Sequence, residues 1–450
     1  TRLSGEFLYR LAAEYQDGGA EWIAERMGWG GIFGFLWCNP NVAAVAPDNL
    51  PLTRLFRDID WAVTRSRWSD PAATLFAIKG GQLDWDHQHH DHNHFVLYAH
   101  GRPLVTDLNY PHELWGCKTE AHNTIMVNGK EQRGTVAVAG CRGEADVRGE
   151  LGDLVEAPWY TRVVGDASLS YDPADVKSFV REAIFLRQTG AEAPPDYVIL
   201  FDDLLPTAPA RLDWHLHTYG EMRVEKNRVT IVQDDAALDV TVLAPATFEH
   251  QVLSKSFEEA GVSKPFATAK ADTFLKLRPA GAVARGVFLT VLAPRKAAET
   301  PVVKPTSVEG DNLAGARMVW GAGEDIALFA LDEPRLEAAG VKATGRTCVV
   351  RRGAGGVRAA VLHQGTRLEA DGQTLYESDG SGHAVIDFGE KETTAVLDLY
   401  DARRAAFYAR RAPTGAWLNG RPVEVRYAPE THLAELDIRG GRHRVRLAFE

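Results

Sequence analysis

The sequence predicts a mainly β protein, a large antiparallel β-sandwich preceded by a short helical segment. Two observations carry the prediction. Before residue 50, apolar residues recur at helical spacing, as in "GEFLYRLAAEYQ", where Phe7, Leu8, Leu11, Ala12 and Tyr15 fall three and four apart. Beyond it the period changes to two. Short β-branched or apolar runs such as "AATLFAIKGG", "HFVLYAHG", "DYVILFDDL", "LDVTVLAP" and "DIALFALDE" are each bounded by Gly, Pro, Asn or Asp.

Taken in order, "AEWIAERMGWGGIFGFLW" continues the helical pattern after a Gly-Gly break. "CNPNVAAVAPDNLPLT" then carries three prolines and four Asn or Asp residues, which suits a linker and a boundary near residue 50. Asn128-Gly129, between "TIMV" and "KEQRG", predicts a type I′ hairpin turn, because both central positions need positive φ. "VRRGAGGVRAAVLHQG" and "GGRHRVRLAFE" repeat the hairpin pattern near the end. The expected division is 1–50 helical, 51–345 a β-sandwich carrying the active site, and 346–450 a smaller C-terminal β unit.

The chain has 450 residues, 45% hydrophobic and 25% charged, the proportions of a globular protein large enough for two or three domains. A formal charge of −11 argues against a nucleic-acid partner, which wants a basic face, yet leaves room for an acidic substrate in a locally basic cleft. No apolar run approaches the roughly 18 residues of a membrane span. The opening "TRLSGEFLYR" lacks an apolar signal core and reads as a processed or trimmed terminus. Cys38, Cys117, Cys141 and Cys348 lack CxxC spacing and read as free thiols.

Chemistry concentrates in "DWDHQHHDHNHF", five histidines and three aspartates in residues 84–95. If 86–98 is a strand, His87, His89, Asp91 and Asn93 share one face, and His90, His92 and His94 share the other. The second face then reads as polar packing. His89 is a candidate metal ligand, with Asp107 at the end of "RPLVTD" and His122 in "EAHNTI" as companions. A His/Asp/His set leaves a fourth tetrahedral position for water, as zinc prefers, and another divalent ion would also fit. His87 is a candidate general acid or base. Tyr110 in "DLNYPHELW" could move a proton if nearby positive charge lowers its pKa. His112, Trp115 and Lys118 in the same loop suit a sugar carboxylate. The bland alternative is a hydrogen-bonded polar β surface with ordinary loop residues above it.

The run "HQHHDHNHFVLYAHGRPLVTDLNY" followed by "EAHNTIMVNGKEQ" resembles the heparinase II/III-like polysaccharide lyases, and "LPLTRLFRDIDWAVTRSRW", with Arg65 and Trp68, resembles that family's entry strand. The resemblance is good from about residue 35 to 135. It implies that His89, Asp107 and His122 hold a metal, usually zinc, that His87 binds or neutralises a substrate carboxylate or moves a proton, and that Tyr110 is the tyrosine of the post-aspartate loop. It implies β-elimination on a uronate-containing polysaccharide: carboxylate neutralisation, removal of the C5 proton, and protonation of the departing O4. Family members carry an N-terminal α/α toroid of several hundred residues, of which residues 1–50 would be the last helices. A fragment, or one half of a cleaved enzyme with a second chain carrying the rest, follows as an expectation. A homo-oligomer is compatible with it. A periplasmic or secreted location is expected. The substrate leans towards alginate or another bacterial uronan, with Lys118, Lys130 and Arg133 leaving sulfated chains open. A cupin-like metal enzyme and a non-catalytic carbohydrate-binding sandwich with a structural metal are the alternatives.

Overall fold

The computed structural model describes residues 5–28, 31–82, 89–107, 115–134, 147–190, 193–256 and 271–450. It is mainly β, as predicted, with three short helices first: α1 (Glu6–Tyr15), α2 (Gly18–Met27) and α3 (Ile32–Trp37). The break between α1 and α2 falls one step before the glycine pair. Gln16 takes the left-handed conformation that ends α1, and the Asp17 side chain accepts the N–H groups of Gly19 and Ala20 to cap α2. Among the described residues, no helix is long and apolar enough to cross a membrane.

Strand begins at Thr53. A five-stranded sheet (residues 53–105), a four-stranded sheet and a nine-stranded sheet come first, and a fifteen-stranded antiparallel sheet runs from Lys304–Val308 to Gly441–Ala448. The apolar runs are near-continuous because the nine-stranded sheet, the middle sheet of the stack, is buried on both faces. Along Val176–Leu186, Ala183 and Phe185 pack into the first core, while Ile184 and Leu186 pack against the fifteen-stranded sheet. Along Tyr197–Pro206, Val198 and Leu200 face the first core, and Tyr197, Ile199 and Phe201 face the second. Period-two alternation thus sorts one strand's side chains into two cores.

Two sequence expectations are corrected. "GGRHRVRLAFE" is one strand, Gly441–Ala448, held between Glu392–Leu399 and Gly415–Leu418 rather than folded on itself. Asn128 and Gly129 do take φ of 54° and 71° as the turn requires. The turn is closed by the Lys130 N–H donating to the Val127 carbonyl at 2.9 Å, but the pairing stops at that one bridge, and Ile125–Val127 pairs with Leu212–Thr218. "VRRGAGGVRAAVLHQG" is the hairpin expected, with Gly353 opposite Gly356. Cys38, Cys117 and Cys348 form no disulfide among the described residues, and Cys141 lies outside them.

Buried polar bonds tie the middle sheet to the fifteen-stranded one. The Tyr160 hydroxyl lies 2.7 Å from His363 Nε2, and His363 Nδ1 lies 2.8 Å from His383 Nδ1. Burial first, then the charge of Arg162, hold the His363 imidazole well below its ordinary pKa. The native state therefore keeps this ring neutral, while the unfolded chain protonates it below about pH 6.5. Its contribution to stability is intact above that value and is lost as pH falls towards the folded pKa, at about 1.4 kcal/mol per pH unit. Urea unfolding at pH 7 and pH 5 should show that loss, and His363→Gln should flatten it. Equal stability at both pH values would contradict the assignment.

Candidate metal centre and active site

From His89 onward, where the described residues resume, the histidine run is not a strand. Pairing begins at Phe95, and residues 89–94 form a turn in which Asn93 has φ of 62°. Asparagine tolerates that left-handed conformation, which short apolar runs avoid. The turn is closed by the His94 N–H donating to the Asp91 carbonyl at 3.0 Å. The alternation of faces therefore does not apply. His94, assigned by it to polar packing, sits instead with Asp107 and His122, its Nε2 3.7 Å from Asp107 Oδ2.

Three fixtures hold this turn. The Asp91 carboxylate takes Lys79 Nζ on both oxygens at 2.7 Å. Gln132 accepts the His92 N–H at 2.9 Å and donates back to the His92 carbonyl at 3.1 Å. Arg181, fully buried, donates to the carbonyls of Asn93 and Asn123 while pairing in bidentate fashion with Asp202 at 2.5 and 2.8 Å. Asn123 stitches the second segment to the first. Its side chain donates to the carbonyls of Phe95 and Thr106 at 2.8 and 2.9 Å and accepts the His217 N–H at 2.6 Å. Arg181, Asp202 and Asn123 were not singled out from the sequence. The available signal was a charged pair, Arg181-Glu182, inside an apolar strand run, since a buried charge demands a partner.

The hydrogen bonds decide the imidazole tautomers. His94 Nδ1 accepts the Asn123 N–H at 2.9 Å, so the neutral ring carries its proton on Nε2. His122 Nδ1 lies 2.9 Å from Asp107 Oδ1 and donates to it, which leaves the lone pair on Nε2. That Nε2 is buried and has no hydrogen-bond partner. The His89 ring lies beside it, with centroids 5.1 Å apart. Burial, followed by the charge of His122, lowers the His89 pKa to about 4. Burial lowers His94 to about 4 as well. Burial alone would raise the Asp107 carboxyl, but His94 and His122 overcome it and hold the group far below the usual carboxylate range. At neutral pH the Asp107 carboxylate therefore faces neutral His89 and His94 rings, whereas burial alone would lower His122 but the charge and hydrogen bond of Asp107 overcome it and raise its pKa.

Such a donor set fits a divalent cation. Two groups of three donors converge within 4.8 Å, His89/Asp91/His122 and His94/Asp107/His122. The expected ligands His89 and Asp107 fall in different groups, joined by His122. Asp91 is engaged by Lys79 on both oxygens, and His94 offers a proton rather than a lone pair. His89, Asp107 and His122 together are not one of these converging groups: the orphaned His122 Nε2 is the clearest vacant lone pair, while Asp107 engages the other nitrogen of the same ring.

Trp115 is fixed by its Nε1–H donating to Glu120 at 3.2 Å and by Lys255 lying 4.0 Å over its ring, and its ring neighbours are His217 and Phe274. Lys118 is exposed, and Lys130 is paired with Asp175 at 2.6 Å. His87, Tyr110 and His112 lie outside the described residues.

Residues 49–270 match the family profile described as Heparinase II/III-like, C-terminal. Among solved structures, a heparan sulfate lyase HepC mutant from Pedobacter heparinus shares a TM-score of 0.53 at 14% identity, over 73% of this chain and 49% of that one. A heparinase III structure gives 0.52 at 15%, over 72% and 48%. No curated protein matches the chain significantly. The chain spans about half the length of the solved structures it matches. Residues 49–270 are therefore similar to the heparinase II/III-like C-terminal domain, and at these identities the structural likeness is one of fold.

Proposed function

We propose that the protein is a polysaccharide lyase, or the larger β part of one, that cleaves a uronate-containing chain by β-elimination. The observation that carries the reading is the buried His/Asp centre lying inside the residues that match the heparinase II/III-like domain. His89, Asp107 and His122 would hold a zinc or other divalent ion. Bound there, the ion would supply fixed positive charge and brace the loops that follow Asp107 and precede His122.

The chain's own groups supply the chemistry in this reading. His87 neutralises the substrate carboxylate or moves a proton, which matters because charge builds on that carboxylate as the C5 proton leaves. Tyr110 exchanges a proton with C5 or O4. His112, Trp115 and Lys118 bind the sugar ring and its carboxylate. Trp115, with Lys255 over one side of its ring, offers an aromatic and cationic surface of that kind.

The helical segment supports a further helical partner, carried by a second chain or by another part of the same protein. Phe7, Ile32, Phe35 and Leu36 are 65%, 68%, 71% and 62% exposed on helices too short to be stable alone. Residues 1–50 are read as the end of an α/α toroid on that ground. A polymeric substrate places the protein in the periplasm or outside the cell.

The reading is tested on a panel of alginate, heparan sulfate, chondroitin and hyaluronan chains by the ultraviolet absorbance of the conjugated 4,5-unsaturated uronate. Appearance of that chromophore with one of them is the expected result. No signal from the protein with any of them, at full metal content, would overturn it.

A further inference from the structure

A groove runs along the seam between the first β units and the fifteen-stranded sheet. It consists of two cavities of about 950 and 820 Å³ that share Trp159 and Asp387. None of its lining residues belongs to the His/Asp centre. Its floor is a transverse row of the sheet, read directly from the strand register. Arg351 faces Ala359, and Ala359 faces Asp387. Asp387 faces Thr394, Thr394 faces Arg446, and Arg446 faces Trp417. Five strand spacings make this row roughly 24 Å long, an extent for an oligosaccharide rather than a single sugar. Arg444, two residues from Arg446, stands on the same face beside Val396. The opposite wall is the turn at Ala157–Trp159 with residues 49–52.

The groove gathers unneutralised positive charge. In a chain of net charge −11, Arg352, Arg367, Arg404, Arg426 and Arg442 of the same sheet each meet a carboxylate, while Arg335 and Arg421 stand unpaired among the described residues away from the groove. Arg358, Arg444 and Arg446 line the groove, are exposed, and form no ion pair among the described residues. The Arg446 guanidinium lies over the Trp417 indole, its Cζ 3.8 Å from the ring centroid, a cation–π contact that holds the charge beside the aromatic ring. Gly415 makes room for that indole, since a Cβ there would lie 2.6 Å from the ring. Two carboxylates also line the groove. Glu156 is answered by Arg187 at 3.6 Å, while Asp387 lies two strands from Arg351, itself paired with Asp325. Positive charge remains in surplus.

We propose that this groove is a second, non-catalytic binding site for an acidic polysaccharide chain, engaged by Arg444 and Arg446 on carboxylate or sulfate groups and by the exposed part of Trp417. The proposal rests on the reading of the protein as one that acts on such chains. A planar guanidinium recognises carboxylate and sulfate in bidentate fashion, and an aromatic face suits the sugar ring. A long polymer could then be held at the seam while another stretch reaches the His/Asp centre.

Hydrogen–deuterium exchange of the whole protein, with and without a heparin-derived or an alginate octasaccharide, tests it. The expected result is protection of residues 385–396, 415–418 and 444–446 by at least one octasaccharide. An uncharged cello-oligosaccharide should leave these residues unprotected, and an Arg444→Ser/Arg446→Ser variant should bind the same octasaccharide at least tenfold more weakly. Protection confined to residues 89–132, no protection by either anionic chain, or equal protection by the neutral chain would each overturn the proposal. The readout is binding alone, so it is decided whether or not the protein shows lyase turnover. Turnover without groove protection would refute the groove and leave the lyase reading standing.

Discussion

Replacing His122 by alanine is expected to remove the bound metal and lyase turnover together. The side chain is fully buried, its Nδ1–H is fixed on Asp107 at 2.9 Å, and its Nε2 lone pair has no protein partner. Loss of a residue that merely orients a ligand costs about 10–100-fold in metal affinity or activity, so loss of this ligand should reach at least about 100-fold. His122→Gln keeps comparable bulk and separates packing from ligation: it should fold, lose the metal and lose turnover. Metal content per chain by elemental analysis, beside initial rates, checks both variants. His89→Ala and Asp107→Ala should lower metal content and melting temperature in the same sense. His87→Ala should abolish turnover while leaving metal content unchanged. Wild-type metal stoichiometry in His122→Gln would show that the centre is a hydrogen-bonded cluster and no metal site.

Arg181→Met should be the most destabilising single change near the site. It strands the buried Asp202 carboxylate, whose remaining protein donor is the Trp214 indole N–H at 3.0 Å, and it releases the carbonyls of Asn93 and Asn123. Removing one member of a buried ion pair costs about 3–5 kcal/mol, because the other charge stays buried. Adding Asp202→Leu should restore much of that loss, since an apolar pair of similar volume avoids the stranded charge. Metal affinity should not recover in the double variant, because the Arg181 bridge between the Asn93 and Asn123 carbonyls is then missing and only the single bonds from Asn123 to His94 and from Thr124 to the His92 carbonyl join the turn to that segment. Urea unfolding followed at the site and in the distal sheet would read the effect. Unchanged stability in Arg181→Met would contradict this role.

The parts of the fold that were legible in the sequence are those set by one local periodicity. α1 follows from apolar spacing, and Tyr197–Pro206 follows from an apolar run bounded by turn residues. The turn at 89–94 was not legible. Its alternating polar residues satisfy a strand pattern, whereas its conformation is decided by Lys79, Gln132 and Arg181, all remote in sequence or on other strands. Hence His94 was placed on the wrong side of the chain. Gly441–Ala448 was misread for a similar reason: its glycines suggested a local turn, but its partners lie in Glu392–Leu399 and Gly415–Leu418. At the candidate site, the residue types and the Asp107–His122 pairing could be anticipated from the "AHNT" pattern. The work of its asparagine could not, because Asn123 acts through backbone groups that three separate segments bring to it.

Elimination and hydrolysis differ by one water, and that difference tests the central claim most directly. The purified protein, loaded with zinc, would be incubated with a uronan oligosaccharide of defined length, and the products weighed by mass spectrometry. The account expects two fragments whose masses sum to that of the substrate, the new non-reducing end carrying a 4,5-unsaturated uronate. Fragments summing to substrate plus one water would make the protein a hydrolase and contradict the β-elimination assigned to it.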